Sequence, residues 1–163
     1  MLKKNQNFIS PKISFPKSSL GTHKIYIVVS HFNEKITLGL LWGAEKAFQD
    51  LKIPVKNYKI IFVPGAFEIP VVVKKIIEKK KCDGILALGC VIKGETAHFE
   101  YISGSVSYSL NSLSHQYGVP IGFGVLTCYN EKQALKRSGK NKFNKGYESA
   151  LSLFNVIDTL KNI

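Results

Sequence analysis

The sequence predicts an α/β protein, a three-layer sandwich in which a four-stranded parallel sheet carries helices on both faces. Three observations point to it. Short strand-like apolar runs alternate with longer stretches of helical spacing, the pattern of β-α-β units with right-handed crossovers. The run Gly84-Ile-Leu-Ala-Leu-Gly-Cys-Val-Ile92 is apolar almost without interruption, as a parallel strand covered on both faces must be. The unusual polar and aromatic residues fall just after the strands, and open α/β sheets bind ligands at the carboxyl ends of their strands.

Residues 1–23 hold Pro11 and Pro16 among serines and lysines and read as an irregular arm with one short strand around Ile13; residues 24–163 form a single domain. A strand at 24–30 leads into an amphipathic helix at 36–51. A second strand at 58–63 ends at Pro64-Gly65, which opens a helix at 67–80, and the run Lys79-Lys80-Lys81 complements the negative end of that helix's dipole. The third strand, 84–92, precedes a long helix at 97–117 on which Phe99, Ile102, Val106, Leu110 and Leu113 recur at helical spacing. A fourth strand at 120–127 is followed by helices at 131–137 and 145–160, around a loop rich in Gly, Asn and Lys.

At 163 residues the chain is large enough to bury one core without disulfides or metal. Its formal charge is +12, but the lysines are spread along the chain rather than interleaved with aromatics, which argues against a nucleic-acid-binding face. The same field favours anionic substrates. Cys82, Cys90 and Cys128 form no Cys-x-x-Cys pair and leave an odd count, so no disulfide framework is expected. His23, His31, His98 and His115 lack ligand spacing, so no metal is expected either. No run approaches the ~20 apolar residues of a bilayer span and the N-terminus has no apolar signal core, so the expected location is the cytoplasm, away from membranes.

The loop at 93–96 is the strongest candidate for chemistry. Thr96 is placed to cap the helix behind it, leaving N–H groups that favour phosphate or another anion. His98, near the positive end of that helix, is disfavoured as imidazolium and suits a neutral proton acceptor. Of 23 basic residues all but Arg137 are lysine, and a retained guanidinium marks a place that needs a rigid, bidentate fork on phosphate. Phe32, directly after the first strand, reads either as a core residue or as a surface for stacking a planar heterocycle. Glu68 either complements its helix dipole or binds hydroxyl groups.

Five blocks in order, Val28-Val-Ser-His-Phe-Asn33, Pro64-Gly-Ala-Phe-Glu-Ile-Pro70, Leu88-Gly-Cys-Val-Ile-Lys-Gly-Glu-Thr-Ala-His-Phe-Glu100, Pro120-Ile-Gly-Phe-Gly-Val-Leu-Thr127 and Arg137-Ser-Gly with Asn144-Lys-Gly146, resemble the 6,7-dimethyl-8-ribityllumazine synthase family. The resemblance runs from about Lys24 to the C-terminus and implies a flavodoxin-like sandwich and a transferase of riboflavin biosynthesis. The reaction it implies condenses 5-amino-6-(D-ribitylamino)uracil with 3,4-dihydroxy-2-butanone 4-phosphate, without a cofactor. It further implies that Phe32 stacks on the pyrimidine, that Ala66, Phe67 and Glu68 hold the ring and ribityl hydroxyls, and that Cys90, Val91 and Ile92 offer backbone groups to the ring edge. Phe123 would close the pocket, Glu95, Thr96 and Arg137 would hold the phosphate, and His98 would move protons. Its implied partners are further copies of the chain, a pentamer or a 60-subunit icosahedral shell able to enclose riboflavin synthase, with Phe123 and Arg137 reaching into a neighbour's pocket. Three positions depart from the family's usual residues: Cys90 for a frequent threonine, Glu100 for aspartate, and Asn141, between Lys140 and Lys142, for a lysine; Lys145 matches. The same residues also admit another carbonyl-condensing or sugar-phosphate enzyme, or a flavin-binding or shell-forming protein without turnover.

Overall fold

Each of the first three strands is followed by a helix that returns the chain to the end of the sheet where that strand began, so all four strands run parallel. The structure, a computed structural model, describes residues 23–79 and 81–163. The strand expected near Ile13 and the helix end expected at Lys80 lie outside these residues. Strands β1 (Ile25–Ser30), β2 (Tyr58–Val63), β3 (Gly84–Ile92) and β4 (Ile121–Cys128) hydrogen-bond in the order β2-β1-β3-β4. Ile25 lies opposite both Tyr58 and Gly84, and Ile85 opposite Ile121. This is the flavodoxin-like order, whose topological switch point falls between β1 and β3.

Helices α1 (Glu34–Asp50) and α5 (Lys145–Lys161) cover one face of the sheet, and α2 (Ile69–Lys79) and α3 (His98–Tyr117) the other. The period of two in the strands divides the core accordingly. Ile25, Ile27, Val29, Leu86 and Leu88 pack with Leu40, Ala44, Phe48, Leu153 and Phe154, whereas Val28, Ile85, Ala87 and Val125 pack with Ile69, Val73, Val106 and Leu110. Each fully buried large side chain contributes about 1.5–3 kcal/mol of transfer free energy. The short α4 (Glu131–Ser138) is capped by Asn130, whose side chain accepts the Gln133 N–H at 2.9 Å. Gly118 closes α3 in the left-handed region, at φ 63°.

Two helix starts differ from the sequence reading. The segment expected as helix from residue 67 first makes a 3-10 turn, Ala66–Glu68, and α2 begins at Ile69. Pro70 fits there because first-turn N–H groups have no intrahelical acceptor. Helix α3 begins at His98 with Ala97, not Thr96, as its N-cap; the Thr96 hydroxyl reaches only the His98 N–H, at 3.4 Å.

Where α1, α4 and α5 meet, backbone touches backbone. A Cβ on Gly146 would overlap the Leu40 carbonyl, one on Gly39 the Ser138 carbonyl, and one on Gly43 the Asn144 amide. Asn144 is buried in this seam. Its Nδ2 donates to the carbonyls of Gly39, Ser138 and Gly139 at 2.9–3.0 Å, and its Oδ1 accepts the N–H groups of Gly146 and Tyr147. One side chain therefore caps α5 and ties it to α1 and to the end of α4.

Candidate active site

A cavity of about 540 Å³ opens at the switch point, walled by the segments that follow β1, β2 and β3. The loop after β1 is held to the one after β2 through His31 N–H to Val63 O (2.8 Å) and Phe32 N–H to Pro64 O (2.9 Å). Asn33 then turns the chain in the left-handed region, at φ 61°, which asparagine tolerates better than most residues, and its Nδ2 donates to the Cys90 carbonyl at 3.0 Å. This leaves Phe32, which is 71% exposed, at the cavity mouth with its ring free to take a planar ligand.

The second wall is the 3-10 turn. Ala66 is buried and Phe67 exposed, and Glu68 Oε2 accepts the Gly65 N–H at 2.8 Å. Glu68 holds the turn with one carboxylate oxygen and also lines the cavity. The third wall is the end of β3. The Cys90 thiol is buried, and desolvation pushes its pKa up to about 12, so it is a neutral filler rather than a nucleophile. Its carbonyl already accepts from Asn33, while Val91 and Ile92 are half-buried on the cavity side.

The loop at 93–97 closes the site. Its residues are exposed, and among the described residues neither the Glu95 nor the Thr96 N–H has a backbone acceptor outside a helix or strand. Thr96 and His98 both line the cavity; Glu95 lies beside them in the loop. Glu100 does not turn towards His98. Its carboxylate meets Lys93 Nζ at 2.7 Å, and this hydrogen bond holds the carboxyl pKa below and the amine pKa above their ordinary values. Phe99 and Ile102, expected at the head of the apolar stripe of α3, are half-buried and line the cavity, whereas Val106, Leu110 and Leu113 are core. The stripe's first turn is cavity wall, a distinction that spacing alone does not contain.

Phe123 and Arg137 lie elsewhere. They line a separate cavity of about 330 Å³ beside β4, the edge strand, together with Lys145 and Glu148. Arg137 Nη1 donates to the Gln133 carbonyl one turn back, at 3.1 Å. Lys145 pairs with Glu148, while Lys140 lies over the Trp42 ring and Lys142 over Phe143. Asn141 closes the loop after α4 through its Oδ1, which accepts the Phe143 N–H at 2.8 Å. One chain therefore brings together Phe32, Ala66, Phe67, Glu68, Cys90, Val91, Ile92, Thr96 and His98, and holds Phe123 and Arg137 apart from them.

Among the described residues no three His, Cys, Asp or Glu side chains are grouped to hold a metal, and no helix is long and apolar enough to cross a membrane. Residues 22–161 match the family model described as 6,7-dimethyl-8-ribityllumazine synthase.

Proposed function

Because the chain belongs to the 6,7-dimethyl-8-ribityllumazine synthase family, we propose that its lumazine synthase activity is the condensation of 5-amino-6-(D-ribitylamino)uracil with 3,4-dihydroxy-2-butanone 4-phosphate, releasing phosphate and water. The observation that supports this most is the switch-point cavity, which an exposed aromatic, a carboxylate and a histidine line together, beside a loop in which the Glu95 and Thr96 N–H groups have no backbone acceptor outside a helix or strand. Phe32 stacks on the pyrimidine, and Ala66, Phe67, Glu68 and the backbone of Cys90, Val91 and Ile92 fix its ring and ribityl chain. The N–H groups of Glu95 and Thr96 cradle the phosphate. The uracil amine condenses with the ketone and releases one water, phosphate is eliminated to leave a new carbonyl, and the second nitrogen adds to that carbonyl and closes the ring with loss of a second water. His98 carries protons between these steps. Orienting two reactive substrates supplies most of the rate, and His98 adds about 10²-fold.

The separate placement of Phe123 and Arg137 supports an assembly in which a neighbouring copy completes each pocket. We assign the chain to a homo-oligomer built from pentamers, up to a 60-subunit shell able to enclose riboflavin synthase, working in the cytoplasm on small molecules without a cofactor. The test is direct: mix the purified protein with the two substrates and follow the fluorescence of the lumazine. Product should appear in proportion to enzyme. A folded, assembled protein that gives none above the uncatalysed background overturns the proposal.

A further inference from the structure

The loop at 93–97 carries the phosphate-facing N–H groups and leads into His98, yet beyond Lys93 it is open at Gly94. Its residues are exposed, and a Cβ added to Gly94 would meet nothing within 4 Å. The Thr96 hydroxyl offers one long bond within the loop. A loop held this loosely would have to be ordered each time an anion binds, at a cost in affinity and rate.

One side chain supplies the missing tie. Lys93 extends the β3–β4 ladder by one bond, its N–H to the Cys128 carbonyl at 2.8 Å. Its amine then crosses the mouth of the loop to Glu100 Oε1, at 2.7 Å, and lies 5.9 Å from the centre of the Tyr129 ring. Tyr129 in turn faces Phe99, with ring centres 6.3 Å apart. The end of β3, the residue after β4 and the first turn of α3 are thereby joined around the loop.

We infer that Lys93 and Glu100 are positioning residues of this site, their ion pair clamping the loop at 93–97 so that the phosphate-facing N–H groups and His98 keep a fixed relation. The inference rests on the condensation proposed above. It does not place Lys93 on the phosphate, because the amine is already engaged by Glu100. Both partners are about half-exposed, 43% and 51%, so the clamp acts on the loop and contributes little to global stability.

The test uses the full chain in its assembled form, with Lys93→Met, Glu100→Gln, the double variant and the exchanged pair K93E/E100K. Each single variant should lower kcat and raise KM for the butanone phosphate, about 3- to 10-fold in kcat/KM, with the KM for the uracil and the thermal midpoint unchanged. The double variant should be no worse than either single one, and the exchanged pair should regain most of the loss. Amide hydrogen exchange at Lys93 and Tyr101, whose N–H groups bond the Cys128 and Ala97 carbonyls on either side of the loop, needs no substrate and should quicken in the single variants and slow again in the exchanged pair. Unchanged exchange, or a loss confined to Lys93→Met with Glu100→Gln at wild-type rate, would overturn the clamp. A wild-type protein that makes no lumazine while its exchange follows the clamp pattern would sink the condensation and keep the clamp.

Discussion

Equal amounts of His98→Ala and Arg137→Ala chains, denatured together and refolded, should regain activity that neither regains alone. Within one chain the two residues line different cavities, of about 540 and 330 Å³, so a pocket that uses both draws them from two copies. In a ring every interface is head-to-tail, so in the proposed assembly each pocket would take its histidine from its own subunit and its arginine from the next. Random mixing leaves half of each kind intact, so roughly a quarter of the pockets hold both. Alone, His98→Ala should retain a tenth to a hundredth of the rate, about 10- to 10²-fold below wild type. Arg137→Ala, which loses a charge-assisted contact of about 1.5–3 kcal/mol, should fall by a similar factor. The mixture should therefore run near a quarter of the wild-type rate, clearly above the average of the two. The rate of lumazine fluorescence reports it, and native mass analysis confirms mixed oligomers. Mixed oligomers no faster than that average would show that His98 and Arg137 serve the same subunit's pocket.

Arg137→Lys keeps the charge and loses the fork, so calorimetry should show the butanone phosphate bound about 1–3 kcal/mol more weakly and the uracil unchanged; equal losses for both would deny Arg137 a phosphate role. Asn144→Ala removes a helix cap worth about 1 kcal/mol and leaves buried carbonyls unpaired at about 1–3 kcal/mol more, so urea unfolding should show a loss of about 2–4 kcal/mol. A loss below about 1 kcal/mol would mean that water replaces the amide in the seam. Burial raises the pKa of Cys90 to about 12 and also raises that of Cys128. The folded chain thus keeps thiol protons that the unfolded chain loses first, so the contribution is complete below the ordinary thiol range and declines as pH rises from roughly 9 towards 12. Urea midpoints should fall over that window, less steeply in Cys90→Ala; equal slopes would remove Cys90 from the effect.

The sheet was legible because its signals are local. An uninterrupted apolar run has one comfortable place, the middle of a covered parallel sheet, and the residues read as β3 occupy it. The pocket side of Phe32, Glu68 and His98 followed from the same rule, since the carboxyl ends of parallel strands face one way. What stayed hidden depends on closure in three dimensions. A 3-10 turn at Ala66–Glu68 and a first turn of α-helix have the same composition, and Pro70 suits either boundary. Threonine is a better cap than alanine in general, but the loop delivers Ala97 to the cap position. Glu100 sits in the first turn of α3, where only the path of the loop decides whether it meets His98 or Lys93. Asn144 stood out only as part of a motif, because the carbonyls it satisfies come from Gly39, far away in the chain, as well as from Ser138 and Gly139.

The seam of Gly39, Gly43, Asn144 and Gly146 has a mechanical consequence. Helices meeting through layers of side chains can slide, because rotamers absorb part of any shift. At this seam α1, α4 and α5 meet through main chain and one fully bonded amide, with no side-chain layer between them there. They form a strut. One end of it begins beside Phe32 and Asn33, and the other carries Arg137 and Lys145. In the ring proposed above, where each subunit would lend Phe32 to one pocket and Arg137 to the next, every subunit would be a rigid spacer between adjoining pockets, and that strut would set the distance from one pocket to the next.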